Sequence, residues 1–510
     1  MTTHEYPTGA TPPLGTPKPA VPRPRTYPGA PADDWLRPQS QTGTDPAPWS
    51  GTGSLSDPGQ LSGTSPLPGT SSLSETRPLS GTSPLPETAE GADPGRKPAP
   101  SRPGRDRYLD LLRSMALVRV VVYHLMGWGW LTVVFPSMGV MFALAGSLMA
   151  RSLSRPPLGV IRGRVRRLLP PFWAFGAVAL AMMFAGGWNP WHDPDHGGTW
   201  GLVDLLNYIV PVGAPPFPWS VGSKSGLLED SWAVQSAGVL WYLRAYLWFV
   251  VASPLMLWAF RRAPWVTVLA PLALTAVVGT GLVTIPGETG NAVTDFAVYG
   301  GCWILGFAHH EGMLVKVPRY IAISCSALTM AFGLWWASGH LGPDGWDLND
   351  IPLADALWSF GFVVILLQYS PSWQELPGRL ARLDKLVTLS NNRAVTIYLW
   401  HNMLIMATVP VLDQLYNLPF MENDGATAAL DATYTLWMLV LVWPLIGLTI
   451  LALGWIEDIA AKRSPRLWPN GAKGRKSKVR KSKGRKSEIR KPKSPKAKGR
   501  STSRGRRTKA

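Results

Sequence analysis

Arg107-Tyr-Leu-Asp110-Leu-Leu-Arg113 opens an apolar segment that also contains His124, eleven residues after Arg113. The segment is long enough to cross a bilayer as a helix, where ionisable side chains are costly. At about 100° per residue, Arg113 and His124 lie within about 20° of each other, and Asp110 lies about 40° from His124. Arg113 and His124 are separated by roughly 16 Å along the axis. This spacing suits two side chains that hold two parts of one long ligand.

These polar residues have two interpretations, which the sequence leaves open. A neutral His124 imidazole can take a proton from a hydroxyl, and Arg113 can bind a phosphate or carboxylate, with Asp110 orienting it. The alternative is a buried polar network that ties neighbouring helices together. Arg119 lies about 120° from this face of the helix, and we expect it to pair elsewhere in the bundle.

Three regions differ in composition, so the mean hydropathy near zero describes none of them. Residues 1–104 are rich in Pro, Gly, Ser and Thr, and they repeat Leu-Ser-Gly-Thr-Ser-Pro-Leu-Pro from Leu61 and from Leu79. Such a segment has too little apolar surface to fold, so we predict that it is disordered and cytosolic. It opens with no signal for secretion and cleavage.

The C-terminal region, residues 461–510, is polybasic. It contains 22 Lys and Arg but a single acid, Glu488, for a net charge of +21, whereas the whole chain carries +18. The basic balance therefore describes this tail and not the rest of the chain. We predict a disordered cytosolic tail that binds anionic lipids. Binding to nucleic acid is disfavoured, because no aromatic residues alternate with the basic ones.

Residues 105–460 are predicted to form an all-α bundle of about ten transmembrane helices, because apolar stretches of about 18 to 25 residues recur there. Basic residues cluster in alternate connections, and the remaining connections are often acidic. This bias places both termini in the cytosol. We expect the membrane to be a bacterial plasma membrane. The predicted spans are 108–130, 133–152, 168–188, 237–260, 265–285, 293–310, 319–338, 352–370, 393–413 and 432–456.

A run of arginines stands before Pro170-Pro171 at the inner mouth of the third span. Its guanidinium groups are well suited to binding phosphate. The alternative is that these arginines only set the orientation of the helices in the membrane, as basic cytosolic connections do in every multi-span protein. The residues are Arg162, Arg164, Arg166 and Arg167.

In their order and spacing, these motifs resemble the family-3 membrane acyltransferases. The first match is the 107–113 motif with a histidine eleven residues beyond it, and the second is the pair Arg164 and Arg167 before a proline. Further matches are Leu240-Trp-Tyr-Leu-Arg244 and Ile397-Tyr398-Leu-Trp-His401. The resemblance covers most of residues 106–456 and neither tail.

The resemblance implies transfer of an acyl group, usually from a coenzyme A thioester, to a hydroxyl of a carbohydrate, lipid or small molecule. Acyl-CoA would be a co-substrate, with no permanently bound cofactor. His124 would be the catalytic base. Asp110 and Arg113 would be the other two members of the catalytic set. Arg113, Arg164 and Arg167 would face the phosphates of the donor from the cytosol.

The chain departs from the family pattern at two positions. Ala145 precedes Gly146 where the family often has serine, so the role of that serine is missing or moved to Ser147. Leucine follows Asp110 where the family usually has glycine.

Further polar and aromatic residues are candidates for the reaction chamber or the acceptor site. His401 lies in an apolar span after Tyr398, although a lone histidine in a bundle is often a packing residue. Arg244, beside Trp241 and Tyr242, is predicted either to contact the acceptor or to extend its charge to the membrane interface.

Two clusters have the residue types of a metal site. His309-His310-Glu311 lies at a helix end with no further ligand at suitable spacing, and His192 and His196 lie in a loop rich in Gly and Pro. We predict no metal at either cluster.

Two other classes of protein fit parts of the sequence. A secondary transporter or flippase-like carrier could use the buried Arg, Asp and His as a relay. However, the chain shows no convincing repeat between its halves and no matched pair of broken helices. A membrane scaffold would explain the basic tail but not the ionisable residues of the first span.

Overall fold

The computed structural model describes residues 106–191, 203–221 and 231–469. These ranges are helical and contain no β-strand, which confirms the predicted all-α class. They include ten helices of at least 16 residues. The ten are α1 Arg107–Met126, α2 Ser137–Ser152, α3 Pro157–Ala185, α4 Leu240–Arg262, α5 Pro264–Gly279, α6 Gly287–His310, α7 Arg319–Ser338, α8 Pro352–Gln368, α9 Ala394–Asp413 and α10 Asp424–Leu453.

Shorter helices connect these elements. The α-helical ones are Leu131–Val134, Trp232–Ala237, Met313–Lys316, Asp384–Asn392 and Trp455–Ala460. Short 3-10 segments cover Leu205–Tyr208, Leu348–Asp350, Gly378–Leu383, Gln414–Asn417 and Pro419–Glu422.

Several helical segments have the length and apolarity needed to cross a membrane, so the chain is a membrane protein. The six that qualify are Leu131–Ser152, Pro157–Ala185, Trp232–Arg262, Arg319–Ser338, Ala394–Asn417 and Asp424–Leu453. The helices α5 and α8 are apolar but shorter, and α1 and α6 carry ionisable residues. Each predicted span overlaps one of α1–α10, and the count of ten crossings stays a prediction.

Four helix ends lie six or more residues from the ends of the predicted spans, and one of them is the start of α6 at Gly287 and not at 293. The helix α3 begins at Pro157 and not at 168, because a proline at the first helical position loses no hydrogen bond there. The helix α10 begins at Asp424 and not at 432, because the Asn423 side chain caps it. The helix α5 ends at Gly279, two residues before Gly281 takes a left-handed φ of 74°.

Small residues bring α2 and α6 into direct backbone contact, and no other two helices pack more extensively. A Cβ on Gly146 would lie 2.1 Å from the carbonyl oxygen of Trp303. A Cβ on Gly306 would lie 2.1 Å from the carbonyl oxygen of Ala143. Transmembrane helices often pack through such small residues, since these let the backbones approach closely.

The described domain extends beyond the predicted boundary at residue 460. Arg393 is fully buried before α9 and donates to Asp458 over 2.8 Å and to the carbonyl oxygen of Arg466. The Arg466 amide donates to the same Asp458 carboxylate at 3.0 Å. Residues 461–469 therefore pack against the bundle. Residues 1–105 and 470–510, which include most of both predicted tails, lie outside the described ranges.

Candidate active site

His124 on α1 and His401 on α9 lie side by side, with ring centroids 5.2 Å apart. His401 is fully buried, and its Nδ1 lies 2.6 Å from the carbonyl oxygen of Tyr398. Since a carbonyl oxygen only accepts, Nδ1 carries the proton and a neutral ring keeps its lone pair on Nε2. That Nε2 has no hydrogen-bond partner within the described ranges. The pair thus offers an unused buried acceptor next to His124.

A cluster of aromatic rings from α4, α6 and α9 begins beside His401. The rings of Tyr398 and His401 have centroids 5.6 Å apart, and Tyr398 lies 5.1 Å from Tyr242. The Tyr398 hydroxyl donates to the carbonyl oxygen of Val239 at 2.8 Å. Trp241 stacks on Tyr299 at 5.5 Å. The structure therefore brings Trp241 and Tyr398, both predicted from sequence, into the same aromatic region.

Arg113 lies near the start of α1, against the helix Asp384–Asn392. Its Nη1 donates to Oδ1 of Asn391 at 3.2 Å. The Asn391 amide in turn donates to the Asp110 carbonyl oxygen at 2.7 Å and to the Ser114 hydroxyl at 2.8 Å. Asn391 is a site residue that sequence reasoning missed, because only the fold brings it to α1.

The carboxylate of Asp110 pairs with Arg107 at 3.1 Å. Arg107 is itself buried and reaches Asp384 and the Thr388 hydroxyl, the latter at 3.0 Å. These contacts fix the first turn of α1 on the helix Asp384–Asn392, and with it the position of Arg113. The predicted orienting of Arg113 by Asp110 stays a prediction.

Arg164 and Arg167 lie in the first half of α3. Arg164 donates to the Tyr246 hydroxyl at 2.9 Å and to the Ser152 hydroxyl at 3.3 Å, which joins α3 to α4 and α2. Arg167 is exposed and forms no ion pair within the described part of the chain, and the charge of Arg463 lies near it. Both guanidinium groups thus lie in the basic first half of α3, and their binding to the phosphates of the donor stays a prediction.

Arg244 is buried between α4 and α6. It donates to Asp295 at 3.0 Å and also pairs with Glu288. Its charge is compensated within the protein and ties the two helices together. A contact with the acceptor stays a prediction.

Arg119 contacts a neighbouring helix through a hydroxyl group and forms no ion pair with an acid in the described ranges. Its Nη1 donates to the Ser137 hydroxyl at 3.1 Å, and its guanidinium carbon lies 4.7 Å from the ring centroid of Tyr123. The Nε and Nη2 atoms are buried and have no hydrogen-bond partner among the residues that the structure describes. A buried arginine near an apolar helix centre is the sequence signal that could have found this residue.

The loop between α7 and α8 covers the other end of α1. The Tyr123 hydroxyl donates to Asp347 at 2.5 Å and accepts from the Asn349 amide at 3.1 Å. Burial raises the pKa of Asp347, although its hydrogen bond from Tyr123 acts in the opposite direction. Polar groups of this loop thus cover the C-terminal end of α1, just after His124.

Ala145, Gly146 and Ser147, at the first departure from the family pattern, are buried. Ala145 packs in the core, and Gly146 makes the close approach to α6. The Ser147 hydroxyl lies 3.3 Å from Nδ1 of His309. Ser147 thus contacts His309, and transfer of the serine's role to it stays a prediction.

The described ranges contain no group of three or more His, Cys, Asp or Glu residues placed to hold a metal ion. Glu311 forms an ion pair with Arg261 at 2.6 Å. His192 and His196 lie outside those ranges.

Comparison with known proteins identifies the family. The acyltransferase domain model of family 3 matches residues 106–456, which is more than half of the chain and contains α1–α10. No curated protein and no solved structure shows a significant match. The chain therefore belongs to the family-3 acyltransferases, a family of membrane enzymes that transfer acyl groups.

Proposed function

We propose that this protein transfers an acetyl or other short acyl group from acyl-CoA to a hydroxyl of a carbohydrate, lipid or small-molecule acceptor. The observation that carries the proposal is the pairing of His124 with His401 inside a family-3 acyltransferase domain. Two adjacent imidazoles can take up and orient a proton at neutral pH. The enzyme spans a bacterial plasma membrane ten times, with both termini in the cytosol.

His124 acts as the general base in this mechanism. It takes the proton of the acceptor hydroxyl as the oxygen attacks the thioester carbon. The new C–O bond forms, the C–S bond breaks, and the proton on His124 passes to the leaving thiolate. One ester and one free thiol result. His401 accepts a hydrogen bond at Nε2 from His124 or from the hydroxyl and so orients the reacting groups.

The donor enters from the cytosolic side. Arg113, held by Asn391, binds its phosphates together with Arg164 and Arg167, and Asp110 helps to orient Arg113. A long flexible arm joins the phosphates of CoA to its thioester, which suits the roughly 16 Å between Arg113 and His124 along an α-helix. The basic tail binds anionic lipids at the same face.

The aromatic region holds the acceptor. Trp241 and Tyr398 provide flat apolar surfaces, and His401 provides a hydrogen-bond acceptor beside them. Arg244 shapes the edge of this region through its pairing with α6.

Membrane vesicles of opposite orientation test this proposal, because acetyl-CoA does not cross a bilayer. Inside-out vesicles from expressing cells should release free CoA from added acetyl-CoA, and right-side-out vesicles should release none. Vesicles that contain His124→Gln provide the matched control. Release equal to that control in both orientations would contradict the proposal, and solute movement without thioester loss would indicate a carrier.

A further inference from the structure

We propose that Arg119 is a further catalytic residue, which stabilises the negative charge that forms on the thioester carbonyl oxygen during acyl transfer. The inference rests on the proposed function, because it assigns a part of the same reaction. Neither the family match nor the motifs that carry the resemblance assign this residue a role.

The guanidinium of Arg119 has hydrogen-bond donors that the protein leaves unused. Nη1 donates to Ser137, but Nε and Nη2 are buried and unpartnered within the described part of the chain. The hydroxyl of Ser137 carries no charge, so it does not neutralise the arginine. Unpaired donors and an uncompensated charge are both costly in a protein interior. Such a residue in a membrane-length helix indicates a function.

Arg119 reaches the depth of the reacting histidine. It precedes His124 by five residues, but its guanidinium carbon lies 4.7 Å from the ring centroid of Tyr123, which directly precedes His124. The side chain therefore extends along α1 towards the level of His124. Its charge lies close enough to act electrostatically on the imidazole.

The nearest carboxylates are occupied by other donors. Asp347 accepts from the Tyr123 hydroxyl at 2.5 Å. Asp355 accepts from the hydroxyls of Tyr299 at 2.7 Å and Ser359 at 2.8 Å. Both act on Arg119 at longer range, and neither lies within ion-pair distance of it. The N–H groups on Nε and Nη2 therefore have no acceptor among the described residues, and in our proposal they bind the oxygen of the substrate.

This arrangement meets a need of the reaction. When the hydroxyl oxygen attacks the thioester carbon, the carbonyl electron pair moves to oxygen and leaves a negative charge there. Donors already in place in a water-poor site stabilise such a charge strongly, and loss of one typically costs about 10²–10³ in rate. As the C–S bond breaks, the charge moves to the thiolate, which takes the proton from His124.

Acetyl-CoA hydrolysis by the purified full-length protein tests the role of Arg119, because water serves as the acceptor. Arg119→Gln should lower kcat for CoA release about 100- to 1000-fold and leave the KM for acetyl-CoA nearly unchanged. Added guanidinium ion should restore part of the rate of Arg119→Ala, a response that a purely structural role would not produce. Arg262→Gln should keep the wild-type kcat, because Arg262 is exposed and lies over Trp258.

Wild-type kcat in folded Arg119→Gln would overturn the inference, as would a raised KM with unchanged kcat, which would assign Arg119 to donor binding. If the glutamine variant does not fold, Arg119→Met removes both the charge and the donors, and a wild-type kcat in that folded variant would also overturn the inference. Absence of CoA release from the wild-type protein would contradict the proposed function itself, so the two failures are distinguishable.

Discussion

The imidazole rings of His124 and His401 lie 5.2 Å apart, although they belong to the first and ninth of the ten long helices. The Nδ1–H of His401 donates to a backbone carbonyl oxygen, and its buried Nε2 has no partner among the described residues. A buried acceptor left unsatisfied by the protein costs free energy. Use of that nitrogen in the proposed reaction would explain why it is present.

Replacement of His401 tests its orienting role. His401→Phe keeps an aromatic ring and removes the acceptor, so kcat for CoA release should fall about 100-fold. His401→Gln keeps a side-chain acceptor and should recover part of that loss. The kinetics of CoA release at saturating acetyl-CoA measure both effects. Equal kcat values for His401→Phe and the wild type would contradict the role.

Arg113→Ala should weaken donor binding, because it removes charge-assisted hydrogen bonds to phosphate. A loss of about 10- to 100-fold in affinity for acetyl-CoA corresponds to the usual strength of such bonds. Equilibrium binding of acetyl-CoA measures this loss. Arg262→Ala is the matched control, because Arg262 is exposed and lies over Trp258. Similar affinities in both variants would remove Arg113 from the donor site.

Gly146→Ala should destabilise the bundle. The new Cβ would lie 2.1 Å from the Trp303 carbonyl oxygen, so α2 and α6 must move apart, at a cost of about 1–3 kcal/mol. Gly159→Ala in α3 is the control, since nothing lies within 4 Å of its new Cβ. Unfolding in detergent solution by denaturant measures both variants. A Gly146→Ala protein as stable as the Gly159→Ala protein would contradict this packing.

Glu457 should make stability depend on pH. Burial raises its pKa to about 7, although Thr396 donates two hydrogen bonds of 2.6 Å to the carboxylate and favours the charged form. An unfolded glutamate titrates near 4.3, so the folded protein holds an extra proton between these two values. The free energy of unfolding contributed by this group is greatest below about pH 4.3 and is lost as the pH rises through about 7.

Glu457→Gln removes this titration and keeps an oxygen that accepts from Thr396. Melting temperatures between pH 5 and pH 8 should fall less steeply in the variant than in the wild type. Parallel curves would exclude Glu457 as a source of the pH dependence.

Local patterns predicted the helices well, because apolar runs and the clusters of basic residues between them can be read directly from the sequence. The same patterns misplaced the start of α3, where Pro157 begins a helix that contains the arginines. Helical spacing placed Arg113 and His124 on one face, but it could not show that Asn391 holds Arg113. Nor could it show the proximity of His401 to His124, since contacts between distant helices leave no local period.

The partners of Arg119 also depend on contacts between distant helices, which the sequence does not show. The position of Arg119 in α1 was evident, and a partner elsewhere in the bundle was the expectation for a charge in an apolar segment. Whether an acid reaches it depends on how α2, α8 and the loop at Asp347 pack around α1. In the structure Asp347 and Asp355 accept hydrogen bonds from tyrosine hydroxyls. The Nε and Nη2 atoms of Arg119 therefore have no partner among the described residues.

The rate of CoA release by purified His124→Gln, relative to the wild type, tests most directly whether His124 is the general base. Both proteins should elute as folded species with similar melting temperatures. We expect the variant to retain affinity for acetyl-CoA and to lose about 10²- to 10⁴-fold in kcat, the usual contribution of a general base. A folded His124→Gln protein that releases CoA at the wild-type rate would contradict the mechanism.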